Sequence, residues 1–195
     1  MSLQTNPTSV SIENLVKSTS AFRRKALPPV HLWNPPFCGE LDIRIARNGT
    51  WFYLGTPIGR PELVRLFSSI LKKEGDRFFL VTPVEKVSIK VDDAPFVAVD
   101  FVVENSQGMQ ILTFETHVGD FTTAGKECPI HVVLDSKTGE PSPYVRVRSN
   151  LEALIDRKSF YRLVDYAVHH EGWFGVWSSG LFFPIIASKE INAEI

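Results

Sequence analysis

Arginine is the residue type whose placement in this chain points to chemistry. Arg60 and Arg157 stand at matching positions of two related stretches, and Arg44 and Arg146 sit inside two short alternating runs, Ile43-Arg44-Ile45 and Val145-Arg146-Val147. A guanidinium presents a rigid fork of donors that fits carboxylate or phosphate bidentately. At about 100° per residue, Arg60 and Arg157 fall at the start of a helix on its apolar side, where a guanidinium needs a partner. Two kinds of partner stay open. One is a carboxylate: if the two helices pack antiparallel, Arg60 approaches Glu171 and Arg157 approaches Glu74. The other is an anionic ligand shared with the N–H groups of a helix N-terminus, which favour phosphate on their own account. Arg44 and Arg146 would thicken such a site, and Trp51 or Tyr53 would stack a base. Arg65 and Arg162 fall nearly opposite the apolar side and read as solvated or locally paired.

Catalytic and metal signals are poor. Glu115 and His117 are two apart on a strand with Asp120 just beyond, an arrangement that reads as a hydrogen-bonded strand end more readily than as an acid–base pair. His169-His170-Glu171 lacks metal-ligand spacing, because adjacent helical residues diverge by about 100°. Trp177-Ser178-Ser179-Gly180 reads as a turn and not as a nucleophile elbow. Cys128 before Pro129 is a lone thiol with no helix N-terminus beside it. No Walker or dinucleotide glycine pattern occurs. The expectation is no catalytic residue, no metal and no cofactor.

The elements that must position the arginines are repeated. Ile58–Gly75 recurs without a gap as Ile155–Gly172, with 6 of 18 positions identical: Ile58/Ile155, Arg60/Arg157, Arg65/Arg162, Leu66/Leu163, Glu74/Glu171 and Gly75/Gly172. Leu63, Val64, Leu66, Phe67, Ile70 and Leu71 are all apolar again in the second copy. The shared pattern predicts a duplicated helix, opened by Pro61 at its first position and closed by Gly75 after Lys72-Lys73. Each copy follows a hairpin. Leu41–Arg47 alternates, Asn48-Gly49 is a strong two-residue turn signal, and Thr50–Leu54 returns; Tyr144–Arg148, Ser149-Asn150 and Leu151–Ile155 repeat the scheme. Between them Phe78–Thr82, Val87–Val91, Phe96–Val103, Met109–Thr116 and Ile130–Leu134 read as strands, and Trp173–Trp177 and Leu181–Ile186 as closing ones. The class is therefore α+β, a duplicated hairpin-plus-helix core with mainly antiparallel sheets.

Length and composition fit that reading. At 195 residues the chain can bury roughly 70% of its extended surface without a disulfide or metal staple. A net charge of −1 excludes a surface built wholly for nucleic acid or anionic membrane, so any anion site is local. Cys38 and Cys128 lie far apart in unlike contexts, which fits a reducing cytosol. No apolar run reaches the ~18 residues of a membrane span, and the first residues lack a signal-peptide core. The cytoplasm is the expected compartment. Met1–Thr8 reads as disordered, Ser11–Phe22 as a weak amphipathic helix, and Arg23-Arg24-Lys25 as a solvated basic patch. Pro28, Pro29, Pro35 and Pro36 force an extended path on which Trp33 and Phe37 cover a core edge.

The stretches WNPPFCGELDIRIARNGTWFYLGTPIGRPELVRLF, FFLVTPVEKV, DDAPFVAVDF, EPSPYVRVRSNLEALIDRKSFYRL and GVWSSGLFFP resemble the bacterial domain of unknown function 1285 family from Trp33 to Pro184. The TPIGRP and TPVEKV stretches carry the resemblance most specifically. It implies a duplicated core, a C-terminal domain superficially like pleckstrin-homology folds, and a cleft between the domains that takes a nucleotide-like ligand in signal transduction. His117 stands where that pattern usually has asparagine, and Ser179 where it has glycine.

The organisation expected is a flexible N-terminal arm over 1–30, an α+β unit over 31–84 and a β-rich unit with one main helix over 85–195. The function expected is a non-enzymatic sensor that binds a small anionic, nucleotide-like ligand between the units. Its ligand residues are Arg44, Trp51, Tyr53, Arg60, Arg146 and Arg157. The alternative is a protein–protein interaction module in which the repeated arginines are internal salt-bridge struts.

Overall fold

The computed structural model describes residues 12–19 and 27–191. The expectations for Met1–Thr8 and for Arg23-Arg24-Lys25 lie outside the described residues. Helix α1 (Ile12–Thr19) falls within the helix expected there, and its Leu15 is fully buried. The described residues fall into two compact units, one running to Ala46 and resuming over Thr50–Val91, the other made of Arg47–Gly49 and the residues from Asp92 onward. The first unit thus extends to Val91 and takes in a strand that the expected boundary at 84/85 assigns to the second.

The first unit is built on β1 (Phe37–Ile45) and β2 (Trp51–Tyr53). Leu41, Ile43 and Ile45 are buried as the alternation requires, and Ile43 faces Tyr53 while Ile45 faces Trp51 across the pair. Leu54 and Gly55, at φ 48 and 75, then reverse the chain into the short β3 (Thr56–Pro57). Helix α2 (Pro61–Ser69) follows, with Pro61 in its first turn, where a missing N–H costs nothing.

The helix does not run on to Gly75. Residues Leu71–Glu74 form strand β4, which pairs with β5 (Arg77–Val81), itself paired with β6 (Lys86–Val91). Lys72 and Glu74, two residues apart, join in an ion pair of 3.0 Å. Such a contact suits an extended chain, where they share a face; on a helix they would diverge by about 200°. Ser68 and Ser69 meanwhile bond back through their hydroxyls to the Arg65 and Leu66 carbonyls, the local competition that makes serine a weak helix continuer. Gly75, at φ 58, is accordingly a hairpin-turn residue and not a helix cap. Its counterpart Gly172, at φ 83, does the same after β13.

The six strands lie in the order β3-β2-β1-β6-β5-β4, antiparallel except for β1 beside β6. One face carries Trp51, stacked on Phe67 of α2 at 6.3 Å, with Ile43 and Ile45. On the other, Val30, Phe79 and Val81 cluster under Trp33, as expected of the proline-rich segment.

The second unit opens with a β meander, β7 (Phe96–Ser106), β8 (Met109–Thr116) and β9 (Phe121–Thr123), followed by β10 (Ile130–Leu134). The second hairpin, β11 (Pro141–Arg148) and β12 (Leu151–Ile155), joins them in the order β10-β11-β12-β7-β8-β9, with β12 parallel to β7. Register shifts at 98/100 in β7 and at 146/148 in β11 coil the sheet. The coiling brings edge strand β9 round to β11, where Thr122 donates its hydroxyl to the Arg146 carbonyl at 2.9 Å.

Helix α3 (Arg157–Val164) buries Phe160 and Leu163, and β13 (Val168–His170), β14 (Trp173–Ser178) and β15 (Leu181–Ala187) make a separate three-stranded sheet before the short α4 (Ser188–Ile191). Ser178 and Ser179 sit at the turn read from the sequence, and both hydroxyls donate to the Ala124 carbonyl. The molecule is mostly β, in curled mixed sheets with few helices. The duplication is a rough one of hairpin, helix and three-strand meander, with the second half of each 18-residue repeat strand and not helix.

Candidate functional site

The six residues expected to meet a ligand part company once the sheets form. In the first unit, Arg44 pairs in register with Phe52, one step out of phase with Ile43, Ile45 and Trp51. It therefore occupies the sheet face opposite α2, with its guanidinium 4.7 Å above the Phe52 ring. Trp51 and Tyr53 share the α2 face. Trp51 is only 2% exposed and locked on Phe67, so it is core and offers no surface to a base. Tyr53 is half-buried.

Arg60 is exposed at the N-cap of α2, not turned into the core as the wheel suggested. The wheel fails because the cap residue has extended dihedrals, φ −113 and ψ 102, and so leaves the helical phase. Among the described residues no side chain caps this terminus. The Leu63 and Val64 N–H groups turn back to the Arg60 carbonyl at 3.0 and 3.2 Å, and Glu62 is the acidic residue of the first turn.

The second copy is finished differently. Asp156 caps α3, its carboxylate accepting the Ser159 N–H at 2.7 Å. The N-terminal donors thus have a built-in anion. Arg157, also exposed, donates its Nε–H to the Tyr161 hydroxyl at 3.0 Å and lies 5.5 Å over that ring. Arg146 is half-buried opposite Glu152 on β12, and its Nε is buried without a hydrogen-bond partner among the described residues. The strut reading is corrected as well. Glu74 is taken by Lys86 at 2.9 Å and Lys72 at 3.0 Å, bonds that hold its pKa below the ordinary carboxylate value. Glu171 approaches His170 at 3.9 Å.

Arg65 is exposed, as the wheel requires. Its repeat partner Arg162 has become a clamp. It ion-pairs with Asp100, donates to the Phe101 carbonyl at 3.1 Å and covers the Phe101 ring at 4.7 Å. The arginine beside it holds the Asp100 carboxyl below its usual range. No sequence signal joins residues 62 apart.

In the Glu115–His117–Asp120 stretch, His117 and Asp120 are tied to their neighbours in the fold. His117 Nδ1 accepts the Val97 N–H at 3.1 Å, burial lowers the pKa of the ring, and Asp120 pairs with Arg148. His169 bonds Ser188 at 2.8 Å. Among the described residues no group of His, Cys, Asp or Glu is placed to hold a metal ion. Two features escaped the sequence reading. Arg47 meets Asp93 at 3.1 Å and Ser142 at 2.8 Å, and Asp93 also accepts the Tyr144 hydroxyl at 2.8 Å. The other is one face of the β13–β15 sheet, where His170 packs against Trp177 and Phe182, with Trp173 at 48% and Val168 at 46% exposed beside them. Reading 168–170 as helix hid that face.

Two solved structures are similar to this chain. A protein of the same unknown-function family from Silicibacter pomeroyi DSS-3 is 63% identical, with a TM-score of 0.85, over 91% of this chain and 97% of its own. A second, from Shewanella baltica OS155, is 32% identical, with a TM-score of 0.50, over 64% of this chain and 91% of its own. No curated protein matches. Residues 28–94 match the model of the DUF1285 N-terminal domain and residues 95–185 that of the C-terminal domain, a division close to the structural one at Val91. The chain belongs to the family of domain of unknown function 1285.

Proposed function

We propose that the protein is a non-enzymatic sensor that binds a small anionic, nucleotide-like ligand, with Arg60 at the start of α2 as the first anion contact. The observation carrying this reading is the difference between the two helix N-termini. Asp156 satisfies α3 from within the chain, whereas α2 has no side-chain cap and an exposed arginine in the cap position. With Pro61 lacking an N–H and those of Leu63 and Val64 turned back to the Arg60 carbonyl, the Glu62 N–H and the neighbouring guanidinium are the donors that favour phosphate or carboxylate there. Tyr53, on the α2 face, replaces buried Trp51 as the stacking ring. Arg44, on the opposite face, and Arg157, engaged by Tyr161, drop out of the contact set. The reading keeps a signalling role, a cytoplasmic setting and a superficial likeness of the coiled second-unit sheet to pleckstrin-homology folds. Among the described residues no helix is long and apolar enough to cross a membrane.

A thermal-shift screen of nucleotides and phosphorylated metabolites tests it. A ligand at 100 times its Kd should stabilise the protein by ~2.7 kcal/mol. Arg60→Ala should leave the ligand-free Tm unchanged and weaken binding by ~1.5–3 kcal/mol, the worth of a charge-assisted hydrogen bond. A screen without a hit, or a hit indifferent to Arg60→Ala, counts against it. The exposed aromatic face of β13–β15 favours a second reading, a protein-interaction module, without the internal arginine struts.

A further inference from the structure

His117 is a half-buried titratable group, its Nε2 buried, that the binding reading does not use. It follows β8 at the turn into β9, and its backbone N–H donates to the Val97 carbonyl at 2.9 Å. Its side chain answers on the same residue, Nδ1 accepting the Val97 N–H at 3.1 Å. A ring that accepts at Nδ1 carries its proton on Nε2 when neutral. That Nε2 is buried and turned to the Gly49 backbone without a well-formed hydrogen bond. The approach is close: a Cβ on Gly49 would lie 3.1 Å from Nε2 and 3.1 Å from Val97 Cγ2. Gly49 is itself buried, at φ 84, so the turn of the second unit's residues 47–49 meets the ring through Gly49.

Protonation puts a second donor where the Val97 N–H already donates. Two donors cannot share one hydrogen bond, so the ring must turn or β7 must part from it, and either movement disturbs the turn seated on Nε2. The surrounding charges do not relieve the conflict. Asp120 is the charge felt at the ring, and its carboxylate is committed to Arg148. Arg47 in the turn is held by Asp93, the acidic side chain flanking β7.

We propose that His117 is a proton-operated catch that seats Gly49 and its turn when neutral and releases them when charged. Burial lowers the ring's pKa from 6.5. With the folded value depressed, the stability held by the catch is complete above about 6.5 and is lost as the pH falls from there towards the folded value. The catch is therefore shut at neutral pH. This inference is independent of the Arg60 reading.

Amide hydrogen exchange of the full chain, read by NMR between pH 7.5 and 5.0 beside the titration of the His117 ring, tests it. The protection factors of Val97 and Gly49 should fall about tenfold between pH 7.5 and 5.5, with a midpoint following the ring's own titration. Phe79 on β5 should not change. His117→Asn retains an acceptor for the Val97 N–H and does not titrate, so it should abolish the pH dependence. Constant protection in the wild type, or an equal fall in His117→Asn, overturns the proposal. If that variant fails to fold, the wild-type midpoints decide, and a fall that does not coincide with the His117 titration overturns it equally.

Discussion

The same 18-residue pattern is set to different tasks in the two units. Both copies fold as helix, short strand and glycine turn, and both follow an antiparallel hairpin. In the first, the meander β4–β6 completes the hairpin's own sheet through the parallel β1–β6 pair. In the second, β7 takes that parallel place beside β12, and β13–β15 stand as a separate sheet with an aromatic face exposed. The shared apolar positions preserve how a helix packs on a hairpin. Polar positions answer to whatever lies next to them, so Arg65 is wet where Arg162 clamps, and Arg60 heads an uncapped helix where Asp156 caps its counterpart.

The packing half of that comparison breaks most visibly at aligned positions 67 and 164. Phe67 is fully buried against Trp51, whereas Val164 is half-buried. Phe67→Ala should cost ~3–5 kcal/mol in urea unfolding and Val164→Ala ~1 kcal/mol or less, because cavity cost follows burial. Equal losses would mean that the two helices depend on their hairpins alike.

Asp156→Ala should cost ~0.5–2 kcal/mol through loss of the α3 cap. Arg60→Asp should do the opposite, raising ligand-free stability by ~0.5–1 kcal/mol, since a carboxylate there both caps the helix and suits its dipole. It should also eliminate any ligand-induced thermal shift. A destabilised Arg60→Asp protein would show that Arg60 is already serving the free fold.

Smaller effects sharpen the polar contrast. Arg162→Ala should cost ~0.5–1 kcal/mol, a value held down by solvent screening of a pair whose side chains are 43% and 53% exposed. Arg65→Ala should stay within ~0.5 kcal/mol. Equal effects would remove the distinction between clamp and wet face. The acid limb of the pH–stability curve is the mildest test. The Glu74 pKa is depressed chiefly by Lys86 and then by Lys72, so its contribution is present above about 4.5 and is lost as pH falls through the folded value. Glu74→Gln should flatten that limb, and an unaltered limb would show the network to be worthless.

Much of this architecture is legible in the chain. Alternation at Leu41–Ile45 and Tyr144–Arg148, with Asn48-Gly49 and Ser149-Asn150 between partners, determines both hairpins, because a half-buried strand must alternate and a tight turn must tolerate positive φ. The repeat itself is visible because buried faces constrain residue size. Tertiary context decided the rest. Leu71–Glu74 and Val168–His170 carry apolar spacing that also fits a helix, and only the neighbouring strands, offering ladder hydrogen bonds, settle them as β.

The functional residues were the least legible. A guanidinium's role depends on what stands opposite it, and the partners of Arg162, Arg148 and Arg47 lie 62, 28 and 95 positions away in sequence. Sheet parity put Arg44 on the face away from α2, and one non-helical residue turned Arg60 outward. Local sequence determined which segments fold and which faces they bury, because those depend on periodicity. Only the tertiary structure decided which charges meet, because that depends on distances the chain does not encode locally.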